Sequence, residues 1–561
     1  MSGFMPHGSI FLIGVIISVA VYLVVGLLAG RKVKDVGDYY VAGRSAPTIL
    51  IAGTLFASML STNGFMGDTG FCYDGNMTSM ILLNTFCASG YVFGPIFFGR
   101  FLRRAKTNTM PEYFGKRYND TKIQRFAGII TVISVTAYLL ACITGVGILM
   151  EELTGLNHYV CLFIAWFAFT GFTFYSGSSG VILTDTIMFM VFLVATVIAG
   201  PYVFNAGAHP FSQLLNALMS SDTAMASQLL DFHGNIAGTG GATVFDAVMY
   251  AVTMGIIWLI TVSVSPWQAG RNMMAKTEHV TFRAGSIAAV CTTVFLTYLY
   301  LIAVAVHDIP GGVAYLTNLQ DSQRVIIWTA FNIMPKFVGT LVLAGIMAAG
   351  LSSASTFLSV IGFSMVTDVL QKKFKTDKEQ LRYSRLVMLG VGVVALILAA
   401  CNLGGIRIIS WFASTIIAAA WIVPAVGGIF NKKMSAKGAR WAMYAGFFGF
   451  IIPKCLKEFL GNTGLVPFFT VFKNLLDPFF VGVIFSILFA VIGTKLEAKS
   501  REEIAFHDNI LILPQSERVH KDYTRDKMYG VMLIAAGVLV TTLLLVFWAL
   551  PYNGYLPVPG R

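Results

Sequence analysis

Apolar runs of about 20 residues, the length that crosses a bilayer as a helix, recur from one end of the chain to the other. Fourteen are predicted, near residues 9–30, 47–73, 77–101, 126–150, 158–177, 180–205, 244–265, 282–307, 338–368, 386–402, 407–430, 438–460, 475–494 and 528–550. Hydrocarbon leaves such runs little choice of fold, because every backbone polar group must pair internally. The chain is 56% hydrophobic and only 12% charged, so little mass is left for a soluble domain. The expectation is an all-α integral membrane protein with the lipid bilayer as its principal partner.

A net charge of +12 raises the question of nucleic acid, and the placement of the charges answers it. With the N-terminus outside, the inward loops 31–46, 100–125, 266–283, 372–385, 431–440 and 495–527 hold 32 of the 39 Lys and Arg residues. The other seven are Arg324, Lys336, Arg407, Lys454, Lys457, Lys473 and Arg561. That bias sets topology, places both termini outside, and excludes nucleic acid as a partner. The opening MSGFMPHGSIFLIG has no basic residue ahead of its apolar run, so it is expected to be a retained helix, not a signal peptide. The seven Cys are scattered without a CxxC, which argues against a disulfide framework or zinc site. GTGGAT in the outward loop 206–243 follows no strand and makes a poor phosphate loop.

Three spans carry polar residues that hydrocarbon does not tolerate unaided. In the second, 57-ASMLSTNGFMGDTG-70 interrupts the helix; in the seventh, 261-TVSVSPWQAG-270 ends it at Ser-Pro, where proline costs about 3 kcal/mol. Broken helices at membrane depth expose carbonyls and helix ends that bind ions and solutes. The alternative is that these Gly and Pro residues serve packing and kinks. Spans 2 and 7 each begin a set of five, and an odd set inverts its successor, as in inverted-repeat transporters. In the ninth span, 348-AAGLSSASTFLS-359, Ser352, Ser355, Thr356 and Ser359 share one helical face. Asp185 in the sixth span lies ~9 Å from the inward end, at a similar depth, and a carboxylate there is a functional candidate by default. One carboxylate with hydroxyl and carbonyl oxygens suits Na⁺ better than a transition metal, since no His or Cys is near. Against this stand two plainer readings: small-residue helix packing for the hydroxyl face, and snorkelling for Asp185.

These residues, together with 38-DYYVAGRS-45, 108-NTMPEYFGKRYN-119, 184-TD-185, 265-SPWQAGRNMMAK-276 and 346-IMAAGLSSASTFLS-359, resemble the sodium:solute symporter family, which includes proline, pantothenate, sialic acid and sodium/glucose carriers. The match runs from about residue 35 to 430. The resemblance implies a LeuT-type core of two inverted five-helix repeats, 47–205 and 244–430. An extra helix and inward loop (1–46), the external loop 206–243 and C-terminal helices (431–561, with the linker 495–527) would surround it. It implies a principal Na⁺ site of the carbonyls of Ala57, Leu60 and Ala349 and the hydroxyls of Ser352 and Ser353. A second Na⁺ site, as in sialic acid members, would use Asp185, Ser352, Ser355 and Thr356. Met59 stands where proline carriers have an aspartate; Gly64 and Thr261 stand where sugar carriers have Gln and Tyr; and the third core helix lacks the Arg of sialic acid members.

The solute site is expected between the broken helices, at Thr62, Asn63, Trp258 and Thr261, with Asn84 on the second core helix. That lining suits a small organic solute held by hydrogen bonds, whether amino-acid-like, a carboxylate or another compact polar solute. Asp68, a turn outward, is either a partner for a solute ammonium or a solvated vestibule residue. Trp258 is either a cation–π wall or a packing residue. A plasma-membrane Na⁺/solute symporter with no evident obligate protein partner is the principal expectation. A transport-impaired sensor on the same core is the alternative. An enzyme is not expected, since no His/Glu or Ser/Lys constellation lies within the spans.

Overall fold

The computed structural model describes residues 8–30, 36–220, 244–312, 321–460, 477–544 and 546, and among them it is helical throughout, with one isolated backbone bridge between Ala46 and Ala275. In chain order, the helices that frame the molecule are α1 (Gly8–Gly30), α2 (Thr48–Met59), α3 (Met77–Gly94), α4 (Met110–Arg117) and α5 (Thr121–Thr154). Next come α6 (His158–Asn205), α7 (Val244–Val264), α8 (Glu278–Ala305), α9 (Lys336–Ser364) and α10 (Asp377–Ala400). The series closes with α11 (Ile406–Ile422), α12 (Ala436–Leu460), α13 (Pro478–Lys495), α14 (Arg501–Leu511) and α15 (His520–Leu544).

Nine helices among the described residues are long and apolar enough to cross a membrane. Three shorter apolar helices, Ile10–Gly26, Thr48–Met59 and His158–Phe174, accompany them. A multi-span helical bundle is borne out, whereas the figure of fourteen is not reached among these residues. The expected segments are divided differently: one crossing run, Asn63–Arg104, joins the outer part of the second span to the third. The expected fifth and sixth spans fall within the single helix α6. GTGGAT lies outside the described residues.

Helix starts on the side of the basic loops carry the caps their sequences promise. Thr109, Asp120, Thr277 and Thr376 each accept a backbone N–H of the first turn, and Ser500 with Glu503 forms a reciprocal capping box. The linker 495–527 is not a loose tether. It contains α14, and Arg103 and Arg104 bind Glu517 and Glu278, with Arg104 also donating to the carbonyls of Ile510 and Leu511.

α9 is the buried centre of the bundle, packed on α1, α5, α6 and α10, and every residue from Val342 to Ser359 is buried. Polar side chains there meet protein, not lipid. Close helix approach depends on glycine: a Cβ at Gly285 of α8 would sit 2.3 Å from the Tyr91 carbonyl of α3. One at Gly446 of α12 would sit 2.3 Å from the Ala419 carbonyl of α11. Backbone cannot yield as a side chain can. Gly285→Ala is therefore expected to destabilise the purified protein by about 1–3 kcal/mol, lowering its melting temperature in detergent. Gly171→Ala, where a Cβ meets nothing within 4 Å, should leave it unchanged or slightly raised. Equal melting of the two variants would contradict this packing.

Candidate ion and solute site

The break in the second span lies at Leu60, whose ψ of 82° leaves the helix. The backbone N–H of Ser61 turns to the carbonyl of Met59 (3.0 Å), and that of Gly64 to the carbonyl of Ser61 (3.1 Å). In a continuous helix those donors would serve Ala57 and Leu60, four residues earlier. The break thus withdraws the helical partners of these two carbonyls. The chain then resumes as a wide π-type turn over Asn63–Asp68, and Gly350 of α9 abuts the Thr62 side chain. On α9, Ser353 Oγ is buried and has no hydrogen-bond partner among the described residues. Ala349 and Ser352 are fully buried on the same helix. Hydroxyl and carbonyl oxygens left without donors in this way could hold a hard monovalent cation.

Asp185 of α6, fully buried, joins three helices. Its Oδ1 accepts from Ser352 Oγ and its Oδ2 from Thr54 Oγ1 of α2, both at 2.6 Å. It also pairs with Arg271, whose Nη2 lies 3.4 Å from Oδ2 and donates to Thr356 Oγ1 at 2.6 Å. Sequence reasoning counted Arg271 only as a loop charge. The signal was its place in 265-SPWQAGRNMMAK-276: Pro266 halts α7, and the tight helical turn Ala269–Met274 carries the arginine back into the bundle. Ser355 and Ser359 bond back to their own helix, to the carbonyls of Ser352 (2.9 Å) and Ser355 (2.8 Å). A cavity lined by Tyr40, Asn108, Trp267, Arg271, Thr356 and Ser359 reaches this cluster from the side of the basic loops.

The expected solute residues divide. Thr62 donates to the Ala141 carbonyl of α5 (3.3 Å), and Thr261 to the Ser414 carbonyl of α11 (3.1 Å). Asn63 receives Ser410 of α11 (2.8 Å) and donates to Asp68 (3.1 Å). The Trp258 ring lies 6.3 Å from that of Tyr138, whose hydroxyl is 3.5 Å from Ser61 Oγ. These four residues line the contact of the broken helices with α5 and α11, joined by Tyr138, Ser410 and Ser414. Asn84 stands apart, with its amide donating to the Thr293 carbonyl of α8 at 3.4 Å. Asp68 is buried, 8% exposed, and is not a solvated vestibule residue in this structure.

The profile of the sodium:solute symporter family matches residues 39–446. The chain belongs to that family. Among curated proteins, this symporter is 23% identical over 485 residues to the high-affinity proline transporter PutP of Bacillus subtilis, covering 82% of this chain and 95% of that protein. It is also 23% identical over 506 residues to solute carrier family 5 member 4 of Rattus norvegicus, covering 80% and 71%. Among solved structures, a Na⁺-coupled sialic acid symporter in a substrate-bound outward-open state shares the fold, with a TM-score of 0.69 at 18% identity over 88% of this chain and 99% of that one. The family is one of membrane transporters, with Na⁺ as the coupling ion.

In this symporter the Asp185–Arg271 pair is buried on both sides, so removing one partner strands the other. Asp185→Asn and Arg271→Gln are each expected to cost about 3–5 kcal/mol, visible as a lower melting temperature and yield. The double variant should recover much of that loss. Additive losses in the double variant would show that the two side chains act independently.

Proposed function

We propose that the protein couples inward Na⁺ movement to uptake of a compact polar organic solute by alternating access across the plasma membrane, with both termini outside. The core would be two inverted five-helix repeats, 47–205 and 244–430, each opening with its broken helix. The observation that supports this best is the conjunction at the first break. The carbonyls of Ala57 and Leu60 lose their helical donors where α2 meets α9, and α9 there carries the unpartnered, buried Ser353 Oγ. With Ala349 and Ser352 these supply five oxygens, which replace the hydration of one Na⁺. The solute would lie against Thr62, Asn63, Trp258, Thr261 and Asp68, with Asn84 behind them. A relative named as a transporter favours symport over a sensor built on the same core.

A second Na⁺ at Asp185, Ser352, Ser355 and Thr356 would have to displace Arg271, which already supplies a positive charge there. The competing reading is that Arg271 is the permanent counter-ion and one Na⁺ moves per cycle. The cavity beside Arg271 gives the guanidinium a place to swing, which favours displacement.

Uptake into proteoliposomes is expected to need an inward Na⁺ gradient and to fail with K⁺. Ser353→Ala and Ser352→Ala should each weaken apparent Na⁺ affinity about tenfold, or 1.4 kcal/mol, with Ser352 the worse because it serves both sites. Unchanged Na⁺ dependence in both variants would return this face to helix packing. For a neutral solute, reversal potentials should report two Na⁺ per solute in the wild type and one in Asp185→Asn. A wild-type ratio of one ends the second site and leaves the first intact.

A further inference from the structure

The site above leaves Arg407 unused and gives the charge of Asp68 no counterpart. Arg407 opens α11 and is 8% exposed. Its guanidinium carbon lies 3.4 Å from the centroid of the Phe71 ring and 4.3 Å from that of Trp411. Nη1 donates to Tyr250 Oη at 3.0 Å, and Arg407 has no carboxylate partner in a direct ion pair among the described residues. Facing it is Asp68, at the end of the π-type turn after the break. Its Oδ2 accepts from Asn63 at 3.1 Å, while Oδ1 is buried with no partner. Gly67, next to Asp68, is packed on the Arg407 backbone: a Cβ there would lie 3.1 Å from the Arg407 nitrogen. Asp68 and Arg407 are thus brought close by the packing of Gly67, without a direct ion pair among the described residues.

That arrangement is costly if its only task is to close the outer face. A buried carboxylate and guanidinium at this proximity gain most from a direct two-pronged pairing. Here each is held in place by something else. The Phe71 and Trp411 rings flank the guanidinium, which keeps N–H groups to spare. Asn63, itself fixed by Ser410, holds Asp68 with one oxygen free. An anion alone would leave Asp68 unpaired, a cation alone would leave Arg407 unpaired, and a sugar would satisfy neither charge. A solute bearing both a carboxylate and an ammonium satisfies both.

We propose that Asp68 and Arg407 form a two-point clamp for a zwitterionic, amino-acid-like solute, with its carboxylate on the Arg407 guanidinium and its ammonium on Asp68 Oδ1. The clamp rests on the symport reading, since it binds solute at the break that also serves Na⁺. The Asn63–Ser410 contact ties together the two elements that carry these charges, and would help to close the site once the solute is seated.

The test is counterflow by the full-length protein in proteoliposomes, with a labelled mixture of the protein amino acids as probe. Unlabelled ethylamine (no carboxylate), propionate (no ammonium) and D-glucose serve as competitors. Na⁺-dependent exchange of the mixture is expected, with each competitor at least tenfold weaker than the best unlabelled amino acid. Arg407→Gln should weaken amino-acid exchange tenfold or more and narrow the gap to ethylamine, and Asp68→Asn should narrow the gap to propionate. Arg407→Lys, which keeps charge and loses the fork, should fall between wild type and Gln. Retained stabilisation of each variant by Na⁺ in a melting assay shows that it is folded. Wild-type exchange by the folded variants overturns the clamp, as does Na⁺-dependent stabilisation of a protein that does not exchange the mixture. Loss of the clamp with Na⁺ coupling intact leaves symport standing; absence of any Na⁺-dependent exchange or stabilisation sinks both.

Discussion

A carbonyl at membrane depth must find a partner, and at Ala57 and Leu60 the chain withholds the usual one. The turn at Leu60 redirects the N–H groups of Ser61 and Gly64 to Met59 and Ser61, so two acceptors face the bundle without helical donors. Much of the surrounding structure exists to make that break tolerable. α9 is buried along its polar stretch, Gly350 and Gly145 let neighbouring helices come up to Thr62, and Asn63 and Ser410 pin the outer half of the broken helix to α11. The break is stable because protein surrounds it, and it leaves two carbonyls without helical donors and one hydroxyl unpartnered.

The hydroxyls of α9 divide by what they face. Ser355 and Ser359 return to their own backbone, which satisfies them without a ligand. Ser352 and Thr356 are drawn into the Asp185–Arg271 cluster, and Ser353 alone is left unpartnered. Within a single turn α9 therefore carries a hydrogen-bonded link to α6 and α2 and an unpartnered buried hydroxyl. In the proposed mechanism that adjacency is a route for coupling, because Ser352 is bound to Asp185 and neighbours Ser353.

Glycine and arginine do the long-range assembly. Gly285 and Gly446 allow backbone contact between helices, while arginines of the basic loops reach back into the protein. Arg104 meets Glu278, Arg271 meets Asp185, and the linker helix α14 is bound by the same basic face. The basic loops that hold most of the Lys and Arg residues also tie helix ends together.

The sequence by itself determined the class, the breaks and the ligand types. Apolar length dictates helices, Ser-Pro and the Gly-rich stretch dictate interruption, and a hydroxyl face with one carboxylate dictates oxygen chemistry, because each is a local consequence of backbone pairing in hydrocarbon. Arg271 and Arg407 were legible only as charges, and Asp68 stayed ambiguous between vestibule and site. Arg271 is 86 residues from Asp185 along the chain, and Arg407 meets Phe71 from the far end of the core. Such pairings carry no spacing signal, because they depend on which helices the fold places side by side. Only the tertiary structure decided that Asp185 has a resident cation, that Ser353 is unpaired while its neighbours are not, and that Asp68 is buried, since burial and partnership are properties of the packed bundle and not of any one helix.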